Sequence, residues 1–179
     1  IVKGRVRTID LGLANDRYFI CMAGIGFDAL VIKEADKKWK RLLGPLGYLL
    51  VAIKIALIYS FTPIEFYLDG QFIRRSGFFM IVGNTKYYGG DFMAMPKADC
   101  QDGLLDVCLF KRKGLLRIIK DLFFLHYKRM PSNLDVDYFQ CREISIAEKG
   151  AHAVHVDAEY LSDTPVNIKV VPRALKVLA

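Results

Sequence analysis

Over much of the chain apolar and polar positions alternate with a period near two, and the breaks in that rhythm mark the helices and turns. Arg5 to Asp10 and Arg17 to Ala23 alternate or run apolar as strands do, with the turn-forming Ala14-Asn15-Asp16 between them, and predict a hairpin. Gly24-Ile25-Gly26 reads as a tight turn, after which the period changes. Ala29, Leu30, Val31 and Ile32, then the basic run Lys37 to Arg41, predict a short amphipathic helix ended by Gly44-Pro45. Leu46 to Phe61 reads as the longest helix, closed at Thr62-Pro63 because proline disfavours helical backbone in the residue before it.

From Ile64 onward the pattern is β. Ile64 to Leu68 and Gln71 to Arg74 flank Asp69-Gly70, a pair that accepts the positive φ angles of a two-residue hairpin turn. Phe78 to Val82, Leu105 to Phe110, Glu143 to Ala147, Ala153 to Asp157 and Val166 to Val171 are further strands, each bounded by turn formers. Only Leu115 to Lys128 interrupts them with a helical period. The expected fold is therefore mainly β (α+β), an antiparallel sandwich or barrel-like sheet carrying a few helices. No repeat or low-complexity linker divides the chain, so a single domain over 1–179 is expected.

Composition sharpens this picture. Hydrophobic residues make up 53% of the chain, which excludes intrinsic disorder and calls for an apolar cavity or docking face. The formal net charge of +7 favours phosphates, nucleic acid or anionic lipid headgroups as partners without choosing among them. No base-stacking motif or recognition helix supports nucleic acid. Cys21, Cys100, Cys108 and Cys141 lack CxxC spacing, so neither a zinc site nor a disulfide framework is expected, and a reducing cytosol is the simplest setting. The stretch Leu46 to Phe61 is short for a membrane span and carries Lys54 near its middle; it reads as a buried or membrane-facing helix. The chain opens on Ile1 without a signal peptide and reads as a piece of a longer protein whose missing part lies upstream.

Three segments carry candidate chemistry. In Gly24-Ile25-Gly26-Phe27-Asp28-Ala29 the glycines allow close backbone approach, but no βαβ unit surrounds them, so a plain turn outweighs a nucleotide loop. The second segment runs from Asn84 through Tyr88-Gly89-Gly90 to Pro96 and on to Asp106-Val107. Its Asp102-Gly103 turn sets a carboxylate beside backbone carbonyls, the oxygen set a hard cation such as Mg²⁺ prefers; the alternative is a solvated turn before a strand. In the third, His155-Val156-Asp157-Ala158-Glu159, two carboxylates two residues apart near a strand end would share a face. Their repulsion would let one hold its proton up to nearer neutrality and, once ionised, serve as a general base toward a hydroxyl, the alternative again being solvated turn residues. His126, His152 and His155 show no metal or catalytic spacing, and core or surface roles are expected for each.

In this order, over roughly Gly12 to Val171, the three segments resemble the diacylglycerol kinase and sphingosine kinase-like family of lipid kinases, particularly its bacterial members. The resemblance implies an acceptor-side, C-terminal β-sandwich domain that works across a cleft from an N-terminal ATP-binding domain. The Gly-Gly-Asp-Gly-Thr loop of that first domain does not occur in this sequence. It further implies phosphoryl transfer from ATP to a lipid hydroxyl such as that of diacylglycerol, with Glu159 as general base and Asp157 beside it. Asn84, Tyr88, Gly89 and Gly90 would line the acceptor cleft. Mg²⁺ would be held by the Asp102 side chain with Asp99 and Leu104 as backbone ligands. Ala158 stands where the family has glycine, and Asp91 where a third glycine is common. The alternative is a non-catalytic lipid-binding or regulatory module of the same fold. The expected partners are a lipid substrate, ATP and a membrane surface, with a homodimer left open and no nucleic acid. The expected location is cytoplasmic, peripheral at the inner membrane face, with the runs Lys37 to Arg41 and Lys111 to Lys113 facing anionic lipid.

Overall fold

The computed structural model describes residues 4–34, 45–59, 62–75, 77–88, 93–111 and 136–178. The basic run Lys37 to Arg41, Arg112 and Lys113, the helix expected at Leu115 to Lys128 with His126, and Gly89, Gly90 and Asp91 lie outside them.

The strands are β1 (Val6–Ala14), β2 (Arg17–Phe19), β3 (Met22–Gly26), β4 (Phe66–Leu68), β5 (Gln71–Ile73), β6 (Phe79–Gly83), β7 (Leu105–Phe110), β8 (Val136–Cys141), β9 (Glu143–Ile146), β10 (Ala153–Val156), β11 (Glu159–Asp163) and β12 (Val166–Leu178). Among the described residues the helices are α1 (Phe27–Glu34) and α2 (Pro45–Ile58). The strands form two antiparallel sheets, one ordered β2-β1-β12-β9-β4-β5 and the other β11-β10-β3-β6-β7-β8.

Alternation explains the packing between them. In β12 Val166 and Ile168 are buried while Asn167 and Lys169 are exposed, one face turned inward and the other to water. In β7 every residue is buried, because the second sheet is covered on both sides. Leu105, Val107 and Leu109 join the inter-sheet core with Phe66, Ile144 and Ile168, whereas Cys108 and Phe110 pack outward against Ala94, Met95 and Ala98. Over the same sheet α1 and α2 form a third apolar cluster of Phe27, Val31 and Ile55.

The structure redraws several expected boundaries. The second arm of the first hairpin does not run unbroken from Arg17 to Ala23. β2 pairs with Gly12–Ala14, then the chain crosses at Ile20 and Cys21 into the other sheet as β3. Gly24 is not a turn residue but sits inside β3, and the junction falls at Gly26, whose φ of 97 suits glycine. Pro45 opens α2, a position where its missing N–H costs nothing, and the end expected for the helix before it lies outside the described residues. β8 and β11 were not expected as strands. The Asp69-Gly70 turn is as predicted, with φ of 47 and 80.

Candidate functional site

The crossing at Ile20 and Cys21 is where the motif segments meet. The Asn84 side-chain nitrogen donates to the carbonyls of Ile20 and Asp10, each at 2.9 Å, and its backbone N–H donates to Cys21 O at 2.9 Å. From the other side the Asp157 carboxylate accepts the backbone N–H groups of Ile20 (2.8 Å), Cys21 (2.9 Å) and Met22 (3.0 Å). Asp10 extends the chain of contacts, its carboxylate accepting N–H from Gly103 at 2.8 Å and from Arg173 at 2.7 Å. A continuous path of hydrogen bonds therefore runs from the 99–104 turn through Asp10, Asn84 and Ile20 to Asp157.

Asp157 and Ala158 are not the end of a strand. They form the two-residue turn between β10 and β11, with φ of 44 and 63, and Val156 pairs across it with Glu159. The period-two argument for a shared face thus fails, since Asp157 lies off the strand. Its carboxylate is taken up by backbone N–H groups. Asp69 does the same at the β4–β5 turn, where its Oδ1 accepts from Arg142 and Glu143. Glu159 opens β11 with its side chain 68% exposed and ion-paired to Arg17 on β2. Nothing in the sequence had signalled Arg17.

A buried polar cluster lies beside this corner. Asp28, in the first turn of α1, accepts from Tyr88 Oη at 3.2 Å, and the same Oδ2 lies 2.9 Å from Nε2 of His155 on β10. Asp28 Oδ1 and His155 Nδ1 are buried without a hydrogen-bond partner. Burial, with the Asp28 charge adding to it, pushes the Tyr59 phenol up to about 12. His155 is completely buried, as the core alternative had it, but it is tied to a carboxylate that sequence reasoning had given no role.

At the proposed cation turn, Asp99 Oδ1 accepts Gln101 N–H and Asp102 Oδ1 accepts Leu104 N–H. Each carboxylate keeps a second oxygen outside these bonds, and both residues are exposed. Two hard oxygens on one short turn fit a largely hydrated Mg²⁺. Among the described residues no three His, Cys, Asp or Glu side chains gather as a metal group. Asp106 lies behind this turn, buried, its Oδ1 accepting from Tyr138 and Gln140; burial raises its pKa above the ordinary carboxylate value.

A family profile described as the YegS C-terminal NAD kinase beta sandwich-like domain matches residues 21–179. The chain belongs to that family. The chain is 30% identical over 186 residues to a diacylglycerol kinase of Mycobacterium tuberculosis, covering 99% of this chain and 59% of that protein. A diacylglycerol kinase of Bacillus subtilis is 24% identical over 160 residues, covering 89% and 53%. The crystal structure of a candidate diacylglycerol kinase from Bacillus anthracis superposes with a TM-score of 0.71 at 26% identity, over 96% of this chain and 56% of that one. The chain thus spans between half and three-fifths of the length of these relatives. The antiparallel β-sandwich expected from the strand pattern, and the likeness to the C-terminal domain of diacylglycerol kinase-like lipid kinases expected from the motifs, are borne out. No helix among the described residues is long and apolar enough to cross a membrane.

Proposed function

We propose that this kinase-family domain is the acceptor side of an ATP-dependent lipid kinase that phosphorylates a lipid hydroxyl such as that of diacylglycerol. The observation that carries the reading is the convergence of the Asp157-Ala158-Glu159 turn and the Asn84 loop on the single corner at Ile20 and Cys21. Glu159 stands at the edge of that corner, exposed at the first position of β11 after the two-residue turn. In the proposed reaction it accepts or orients the proton of the attacking hydroxyl. Arg17 beside it supplies a counter-charge that orients the carboxylate. Asp157 contributes by fixing the turn rather than by touching the reacting atoms. ATP would bind mainly through a separate domain. Mg²⁺ would be held at the 99–104 turn by the Asp102 side chain, with Asp99 and Leu104 contributing backbone oxygens, and would supply charge that stabilises the turn.

Helix α2 also presents an apolar face to its surroundings. Leu50 and Leu57 of α2 are 58% and 76% exposed and share a helix face with Lys54, which suits acyl chains beneath an anionic surface.

The test is transfer of labelled phosphate from ATP to diacylglycerol in mixed micelles by the full-length protein. Glu159→Gln should lower kcat at least about a hundredfold while the fold is kept. Full rate in that variant removes Glu159 from its role. A protein inert toward lipid hydroxyls that still binds lipid vesicles would favour the non-catalytic module.

A further inference from the structure

We infer that His155 is a positioning residue that acts through Asp28 to hold the loop 84–88 against the strand leading into the Asp157–Glu159 turn. The inference rests on the reading of this corner as the acceptor side, and gives it a support beneath the surface.

Three elements meet in one buried hydrogen-bond cluster. Tyr88 belongs to the loop after β6, Asp28 to the first turn of α1, and His155 to β10, two residues before Asp157. A single oxygen, Asp28 Oδ2, takes both contacts, 3.2 Å from the Tyr88 hydroxyl and 2.9 Å from His155 Nε2. His155 is fully buried and Asp28 nearly so, so neither can exchange its partner for water. A carboxylate only accepts, so in this contact His155 Nε2 donates to Asp28 Oδ2.

The strand register shows that room is reserved for this contact. Gly24 is the cross-strand partner of His155. A Cβ at Gly24 would fall 2.1 Å from Asp28 Oδ2 and 2.2 Å from His155 Nε2. The glycine of the first motif is required by the carboxylate–imidazole pair, not by a turn.

Removing the imidazole donor leaves Asp28 less constrained, and Tyr88 then bonds to a carboxylate free to rotate. The Asn84 to Tyr88 backbone should loosen while the sandwich stays folded. Hydrogen exchange of that segment in the full chain measures this without ATP or lipid. His155→Leu and Tyr88→Phe should each speed exchange across 84–88 about tenfold, the double variant no more than either, and His155→Gln, which keeps a donor, less than about threefold. Unchanged exchange in the loop, or additive effects of the two changes, overturns the inference. Should His155→Leu fail to fold, Asp28→Asn takes its place against Tyr88→Phe with the same expectations. In the full-length protein the His155 variant should raise KM for the lipid and leave KM for ATP unchanged, whereas an equal rise in both overturns the link to the acceptor. Absence of lipid phosphorylation by the unmodified protein would sink the proposed function but leave the exchange result to decide the role of His155.

Discussion

Asp157 and Asn84 grip the same corner of the chain from opposite sides, Asp157 taking the N–H of Ile20 at 2.8 Å and Asn84 donating to its carbonyl at 2.9 Å. Ile20 and Cys21 join the two sheets, so backbone groups that no strand partner can reach are satisfied by the Asp157 carboxylate and by the side-chain and backbone N–H groups of Asn84. The corner is made by a carboxylate and an amide that lie 73 positions apart in the sequence.

Stability and activity should separate at the two acids. Asp157→Asn turns an amide nitrogen toward a backbone N–H and should cost about 1–2 kcal/mol in urea unfolding. Glu159→Gln removes only an exposed ion pair and should leave the unfolding midpoint in place while lowering kcat for lipid phosphorylation at least about a hundredfold. Equal losses of stability would refute this division of labour.

Asn84→Asp should be far more damaging than its small size suggests. An oxygen would replace the nitrogen that faces two carbonyls, at a site 1% exposed, and a cost of at least about 3 kcal/mol is expected. Chemical denaturation of the folded variant, or its failure to accumulate as soluble protein, checks this.

Ala158→Gly should stabilise. Alanine holds a φ of 63 with its side chain in solvent, a conformation that costs an L-residue roughly 1–2 kcal/mol, against about 0.4–1 kcal/mol of unfolded-state freedom that glycine brings. A net gain of about 0.5 kcal/mol in calorimetric stability is expected.

Gly24→Ala should cost about 1–3 kcal/mol through overpacking against Asp28 and His155, and should shift the His155 ring signals in NMR spectra. Unperturbed ring signals would show that the strand yields instead of the pair.

Asp106 gives the pH signature of the region behind the cation turn. Burial raises its folded-state value above the ordinary 3.8, so the folded protein holds this proton more tightly than the unfolded chain does. The contribution is therefore complete below pH 3.8 and is lost as pH rises through the raised value. The stability of the protein minus that of Asp106→Asn should fall across that window in denaturant titrations. A difference that grows with pH would contradict the sign.

Much was legible in the residue pattern because it depends on local rules. Asp69-Gly70 announced a turn, Ile64 to Leu68 and Leu105 to Phe110 announced strands, and the ordered motifs announced a sandwich of diacylglycerol kinase type. Strands β8 and β11 were missed because Val136–Cys141 is buried only at its two ends, with half-buried and exposed positions between that do not alternate, and Glu159–Asp163 is an outer strand with no buried face to give it a period.

By itself, then, the sequence determined the β-rich class, the turns and the three segments that bear polar chemistry, since alternation and turn preference act over a few residues. Only the tertiary structure decided that Asp157 is a backbone clamp, that Gly24 makes room for a buried carboxylate–imidazole pair, and that Asp10 and Arg17 belong to the site. Those roles are contacts between residues far apart in the chain, and a hydrogen bond exists only once both partners have been brought within about 3 Å of each other.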